Sequence, residues 1–139
     1  MKKFVLAPDS FKGSLSANEI CEIWSGAIKA HLPEAEIVRF PVADGGEGLV
    51  DAFLRVCGGE RLTAMVQSPL GEPALAAYGI LPNGSAVIEM AAAAGLPMIA
   101  ERKNPLIAST YGVGQLLLDA EQRGVKQADL GLGGSATHD

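Results

Sequence analysis

The sequence places a glycine-rich loop between a strand-like run and a helix-like run, at residues 41–48 (PVADGGEG). Glycines lack a Cβ, so the backbone can adopt positive φ and bring N–H groups close to a ligand. The helix that follows contributes the partial positive charge of its N-terminus. Asp44 and Glu47 are therefore candidates to bind a divalent cation or to orient a substrate hydroxyl. Capping of the helix explains the two carboxylates equally well.

The first sixty residues alternate between strand and helix signals. Residues 4–7 predict a short strand buried on both faces, and residues 36–40 predict a second strand that leads into the loop at Asp44. Helices are predicted after each strand, the second of them over residues 50–57. The resulting βαβα order is typical of an α/β fold with a parallel sheet.

The first predicted helix has a clear start and a clear apolar stripe. Ser16 followed by Glu19 is a capping-box signature. Ile20, Ile23 and Trp24 recur at helical spacing, which predicts that they face the core. Pro33 marks the end of this helix.

Three strand-like runs follow without helices between them, at residues 61–68, 74–81 and 86–90. Asn83-Gly84 favours a type I′ turn, in which both central residues have positive φ. An antiparallel meander is therefore predicted. The change from βα alternation to hairpins indicates a second structural unit that begins near Glu60.

A third helix and a last strand complete the chain. Val113, Leu116, Leu117 and Ala120 predict the buried face of the helix, with Ser109 or Thr110 as its cap. Residues 127–132 predict a strand that ends in a glycine-rich loop at 133–139, where the sequence stops. Because no helix follows to cover that strand, we expect a fragment of a longer protein.

Composition limits the classes of function. The 139 residues are 48% hydrophobic and 19% charged, which is typical of a globular domain. The net charge of -5, without a basic cluster, argues against nucleic acid as a partner. No run is long enough for a signal peptide or a membrane span, so a cytoplasmic protein is expected. Cys21 and Cys57 lack metal-ligand spacing and are predicted to be free, buried thiols.

Polar residues and glycines follow each of the predicted parallel strands. Because the carboxyl ends of parallel strands lie along one edge of a sheet, we expect the loops to face a shared cleft. Their chemistry suits a phosphorylated ligand, with N–H and hydroxyl donors for phosphate, a lysine for charge, and carboxylates for magnesium or a hydroxyl. The candidates are Asp9, Ser10, Lys12 and Ser14 after the first strand, Asp44, Gly45, Gly46 and Glu47 after the second, and Gly133, Gly134, Ser135, Thr137 and Asp139 after the last.

Most of these residues also have structural explanations. Ser14 or Ser16 is suited to capping a helix, and Lys12 to the solvated surface. His138 is more typical of a turn than of a general base. Glu89, at a strand end, is either a carboxylate that faces a ligand or an acidic residue in a helix first turn, and the second interpretation is favoured.

Two general nucleotide-binding motifs can be compared with the sequence. A Walker A loop is absent, because Lys12-Gly13-Ser14 has the wrong order and lacks the upstream glycine. Residues 131–136 satisfy a loose G-x-G-x-x-A pattern, but the acidic residue that would bind the ribose falls beyond the last residue. A dinucleotide-dependent oxidoreductase is therefore a weak alternative.

Taken together, four segments resemble the bacterial glycerate kinase family that forms 2-phosphoglycerate. They are residues 7–14 (APDSFKGS), 41–48 (PVADGGEG), 110–114 (TYGVG) and 133–137 (GGSAT), in matching order and spacing along the whole chain. Family members are much longer, so the resemblance implies that this chain is their N-terminal portion. The family pattern commonly has asparagine where this chain has His138.

The resemblance implies two α/β domains interleaved in sequence. One is a Rossmann-like parallel sheet with helices, incomplete here, over residues 1–59 and about 110–139. The other begins as an antiparallel meander and covers about 60–109.

The resemblance also implies an enzyme, a kinase that transfers the ATP γ-phosphoryl group to the 2-hydroxyl of D-glycerate with Mg²⁺. Catalytic roles are then expected for Lys12, Asp44, Glu47 and Asp139, with Asp44 and Glu47 as metal ligands. Gly45, Gly46, Gly133, Gly134, Ser135 and Thr137 are expected to bind ATP, and Asp9, Ser10 and Ser14 to bind the substrate. A truncated nucleotide-binding module without activity is the alternative, and the oligomeric state is left open, with a homodimer as one option.

Overall fold

The computed structural model describes residues 2–139. They divide into two compact units, the first ending at Ala43 and the second covering Asp44–Asp139. The elements are α-helices and both parallel and antiparallel strands, which confirms the predicted α/β class. Within the described residues, no helix is long and apolar enough to cross a membrane.

The first unit contains a two-stranded parallel sheet and one long helix. Strand β1 (Lys3–Leu6) pairs with β2 (Glu36–Arg39), and helix α1 (Ala17–His31) connects them. The predicted capping box is present, because Ser16 accepts the N–H of Glu19 and the Glu19 carboxylate accepts the N–H of Ser16. Helix α1 therefore begins directly after Ser16, as the capping-box signature predicts.

Burial in the first unit differs from the prediction. In β1 Leu6 is buried but Val5 is 63% exposed, so the strand is not covered on both faces. The side chains of α1 that are buried are Ile20, Cys21 and Ser25, whereas Trp24 is 42% exposed. The buried face of α1 was predicted wrongly because it includes Ser25, which is polar. The Ser25 hydroxyl can be buried because it donates to the Cys21 carbonyl and accepts from Arg39.

The second unit is built on a four-stranded sheet of order β3-β4-β5-β6. Strands β3 (Glu60–Gln67), β4 (Pro73–Ile80) and β5 (Ala86–Glu89) form the predicted antiparallel meander. Strand β6 (Ala128–Gly131) then pairs with β5 in parallel. The last strand thus belongs to the sheet of the meander, and the predicted assignment of 110–139 to a separate Rossmann-like domain stays a prediction.

Four further helical segments accompany this sheet. They are α2 (Leu49–Cys57), α3 (Met90–Ala94), a 3₁₀ turn (Leu96–Met98) and α4 (Tyr111–Gln122). The main core joins Tyr78 and Ile88 of the sheet to Val113 and Leu116 of α4. The prediction was wrong for Leu117, which is 38% exposed, and for Cys57, which lies at the exposed end of α2.

The hairpin between β4 and β5 occurs where the sequence predicts but uses a different turn. The Gly84 N–H donates to Leu81 O at 2.9 Å, so Pro82 and Asn83 are the central residues. Proline holds φ near −65°, which is incompatible with a type I′ turn. Gly84 has φ of +83°, whereas Asn83 does not have positive φ.

Candidate functional site

The structure brings two of the three predicted loops into contact within the second unit. The Gly133 N–H, just past the end of β6, donates to Gly45 O at 3.0 Å. A Cβ on Gly133 would lie 2.7 Å from Gly46 N, which is closer than real Cβ contacts allow. A Cβ on Gly131 would clash with Gly45 O. Glycine is therefore required here for close backbone packing, so that the Asp44 loop lies against the end of β6.

The loop after β6 is held on its other side by the segment that follows α3. Ala136 N–H donates to Ala94 O at 2.8 Å, and Leu96 N–H donates to Gly134 O at 2.9 Å. Gly95 and Ser135 form an isolated antiparallel bridge between these hydrogen bonds. Nothing in the composition of residues 95–109 indicates that they anchor a site loop.

Two hydroxyls in this loop are already oriented by each other. The oxygens of Ser135 and Thr137 lie 2.9 Å apart, and Ser135 Oγ accepts the Thr137 N–H at 3.0 Å. Both residues are half-buried. Fixed hydroxyls lose little entropy on binding an anion, so this pair is suited to contact phosphate oxygens.

Asp139 is placed at the start of α4. Its carboxylate oxygens accept the Thr110 N–H at 3.0 and 3.2 Å. This hydrogen bond, followed by smaller contributions from Ser109 and Thr137, holds the pKa of Asp139 below its ordinary value. A lowered pKa makes this carboxylate a weaker proton acceptor.

Asp44 and Glu47 do not cap α2. Asp44 Oδ1 accepts the Gly46 N–H at 3.1 Å, which stabilises the loop itself. The N-cap of α2 is Gly48, with φ of +93° and no side-chain cap. Asp44 and Glu47 are both exposed and so are accessible to a ligand.

The capping carboxylate of α2 comes from Glu89, 39 residues along the chain. Glu89 ends β5 beside Gly131, and its Oε1 accepts the Val50 N–H at 2.7 Å. Burial raises the pKa of Glu89, while the Val50 N–H opposes that rise. The prediction placed Glu89 in the first turn of its own following helix. It was wrong because the hydrogen bond is made to a different helix, which spacing in the sequence does not show.

The first predicted loop lies in the first unit. Asp9 accepts the N–H of Ser10 at 2.7 Å, and the Phe11–Leu15 turn contains Gly13 with φ of +77°. Lys12 and Ser14 are exposed. The convergence of this loop with the other two stays a prediction.

A magnesium site is not evident from side chains alone. Among residues 2–139, no three His, Cys, Asp or Glu side chains cluster closely enough to hold a metal ion. Mg²⁺ is commonly bound by one or two carboxylates together with substrate phosphates and water. The donor chemistry of Asp44 and Glu47 fits that kind of shared site.

Comparison with known proteins identifies the family. The model of the glycerate kinase family matches residues 4–139. The chain belongs to the glycerate kinase family. Glycerate 2-kinase of Escherichia coli and glycerate kinase of Bacillus subtilis are each 45% identical to it over 139 residues, which cover 99% of this chain. A crystal structure of a protein described as glycerate kinase 2 from Salmonella typhimurium superposes with a TM-score of 0.75 at 40% identity.

The chain is much shorter than its relatives in the glycerate kinase family. It covers 36% of the E. coli and B. subtilis proteins and 37% of the Salmonella chain. The prediction that family members are much longer is therefore confirmed. The roles of the individual site residues stay predictions.

Proposed function

We propose that this chain forms part of an ATP-dependent glycerate kinase that phosphorylates the 2-hydroxyl of D-glycerate. Membership of the glycerate kinase family, together with relatives named glycerate 2-kinase and glycerate kinase, supports this proposal. The observation that carries it is the backbone contact between Gly45 and Gly133, which joins a carboxylate-bearing loop to a hydroxyl-bearing one.

The fit of ATP rests on the loop that follows β6. Gly134 has φ of +73°, a conformation that suits close approach of a ligand to the backbone. The neighbouring Ser135 and Thr137 hydroxyls, with Gly133, Gly45 and Gly46, would contact the phosphates. ATP supplies the γ-phosphoryl group and an ADP leaving group. Backbone donors and hydroxyls would orient that group, since positioning dominates phosphoryl transfer.

The acceptor is expected to bind near the carboxylates. The 2-hydroxyl oxygen forms a bond to the γ-phosphorus as the bond to ADP breaks, and the hydroxyl proton passes to a base. Asp44 and Glu47 would orient the hydroxyl or share Mg²⁺ with the phosphates. Asp139, with its lowered pKa, is better suited to binding than to accepting this proton. The glycerate carboxylate or a phosphate would be bound by Asp9, Ser10, Ser14 and Lys12.

The test is a coupled ADP-release assay on the complete translated product of the gene, with D-glycerate, ATP and Mg²⁺. Phosphorus NMR of the product distinguishes phosphorylation at the 2-hydroxyl from phosphorylation at the 3-hydroxyl. The expected result is 2-phosphoglycerate, formed only when D-glycerate is present. No turnover by a folded complete product would refute the proposal.

A second candidate is a nucleotide-binding module without activity. The observation that favours this alternative is that the chain covers only 36% of the E. coli protein. Calorimetric titration separates the two, because a module binds ATP but releases no ADP. The cytoplasmic location and a homodimeric assembly stay predictions.

A further inference from the structure

Glu89 occupies a position that connects three parts of the proposed site. It is the last residue of β5 and pairs in register with Gly131, the last residue of β6. Its side chain is half-buried and reaches the first turn of α2, where Oε1 lies 2.7 Å from Val50 N. The sheet edge and the start of α2 are therefore joined by one carboxylate.

This hydrogen bond replaces a local cap. Helices usually begin with a Ser, Thr, Asp or Asn whose side chain accepts an N–H of the first turn. In α2 that position is Gly48, which has no side chain to offer. The Leu49 N–H donates to Gly46 O at 3.3 Å, whereas the Val50 N–H donates to Glu89. Loss of the Glu89 oxygen would leave the Val50 N–H without its acceptor.

The Asp44 loop is consequently attached at both ends. At one end Gly45 O accepts the N–H of Gly133 at 3.0 Å, and at the other end α2 is capped by Glu89. Glu47 lies between these two attachments. Asp44 directly precedes Gly45, and its carboxylate accepts the Gly46 N–H between them. A reacting group displaced by about 1 Å can lose about 100-fold in rate. Loss of either attachment could therefore lower the rate by displacing these carboxylates.

We propose that Glu89 is a positioning residue, which fixes the Asp44 loop to the sheet by capping α2 and contacts neither substrate nor ATP. The proposal rests on the proposed kinase function. It further implies that the N-terminus of α2 does not bind the phosphates, because a carboxylate already occupies the end of the helix that attracts anions. Phosphate binding is thereby left to the loop after β6 and to the backbone at Gly45 and Gly46.

The test compares Glu89→Gln with Glu89→Ala in the complete translated product. Glutamine keeps an oxygen acceptor for Val50 N–H and removes the charge, whereas alanine removes both. The expected result is a kcat close to wild type for Glu89→Gln and a fall of about 10-fold to 100-fold for Glu89→Ala, with KM for ATP little changed. Rates are normalised to the folded fraction, and Glu121→Ala, an exposed change on α4, serves as the control.

Amide hydrogen exchange supplies a second readout that does not require activity. Protection of the Val50 N–H should fall in Glu89→Ala and persist in Glu89→Gln. If the wild-type protein lacks kinase activity, the proposed function fails. Exchange at the Val50 N–H then still tests whether Glu89 holds the start of α2. If Glu89→Ala does not fold, Glu89→Asp, which is shorter by one methylene, replaces it in both measurements.

Two results would overturn the positioning role. Unchanged kcat and unchanged Val50 protection in Glu89→Ala would show that the hydrogen bond does not hold the loop. A loss of kcat in Glu89→Gln as large as that in Glu89→Ala would show that the charge itself acts, as a base or a ligand.

Discussion

At the scale of single residues, Tyr78 shows how a polar group is accommodated in the core of the second unit. Its side chain is fully buried, and its hydroxyl donates to Asp119 Oδ2 at 2.6 Å. Arg123 Nε donates to the same oxygen at 2.9 Å. The tyrosine hydrogen bond, with Arg123, lowers the pKa of Asp119. The hydroxyl of the buried Tyr78 ring is thus satisfied by the charged carboxylate of Asp119.

Tyr78→Phe should destabilise the second unit. Hydrogen bonds to charged groups contribute about 1.5–3 kcal/mol, and the phenylalanine ring fills almost the same space. Asp119 keeps Arg123 as a partner, so no buried charge is orphaned. Urea denaturation measures the change, and Tyr111→Phe, at a side chain 61% exposed, is the control. Equal stability of the two variants would contradict this prediction.

The same tyrosine predicts a dependence of stability on alkaline pH. Burial and the nearby Asp119 raise the pKa of Tyr78 from 10.0 to about 12. Because the folded state holds the proton more tightly, this contribution is fully present below pH 10.0 and is lost as pH rises toward 12. The stability difference between wild type and Tyr78→Phe should therefore shrink over that range. A constant difference in alkaline denaturation experiments would argue against the hydrogen bond.

Gly133→Ala tests the contact between the two site loops. The new Cβ would lie 2.7 Å from Gly46 N and 2.8 Å from Gly46 Cα, so one loop must shift. Overpacking of this kind costs about 1–3 kcal/mol. Gly114→Ala in α4 is the matched control, because its Cβ would meet nothing within 4 Å and alanine favours helix by about 0.5–1 kcal/mol. Thermal denaturation should show opposite signs for the two variants.

At the scale of elements, the helices differ in where their N-terminal N–H groups find acceptors. Helix α1 is capped locally by Ser16. Helix α2 depends on Glu89, and the N–H of Thr110, the N-cap of α4, donates to Asp139, 29 residues further along the chain. Only a local cap, such as that of α1, can be predicted from neighbouring residues, since a capping box has fixed spacing.

Ser16→Ala should destabilise α1. Removing an N-cap hydroxyl costs about 0.5–2 kcal/mol. Ser14→Ala, two residues earlier and also exposed, is the control and should have a smaller effect. Helix content from circular dichroism during denaturation reports the difference. An equal loss in both variants would mean that the capping box does not stabilise the helix.

At the scale of the whole molecule, the buried core is unevenly divided. The second unit contains two clusters of buried side chains, centred on Tyr78 with Leu116 and on Val50 with Val87. The first unit, as far as residues 2–43 show, buries few side chains, among them Leu6, Ile20 and Cys21. Local stability follows the amount of buried apolar surface.

Hydrogen exchange on residues 1–139 should therefore reveal unequal protection. Peptides from β1 and α1 are expected to exchange at lower opening free energy than peptides from β4 and β5. Mass spectrometry over a time course resolves the two groups. Equal protection of β1 and β4 would contradict the prediction.

The sequence by itself determined the α/β class, the meander, the start of α1 and the family resemblance. Each depends on local spacing or on the identity of short segments, such as Ser16 with Glu19, that neighbours in the chain define. Only the tertiary structure decided that β6 pairs with β5, that Trp24 is exposed, and that Glu89 caps α2. These features depend on contacts between distant residues, whose geometry exists only once the chain has folded.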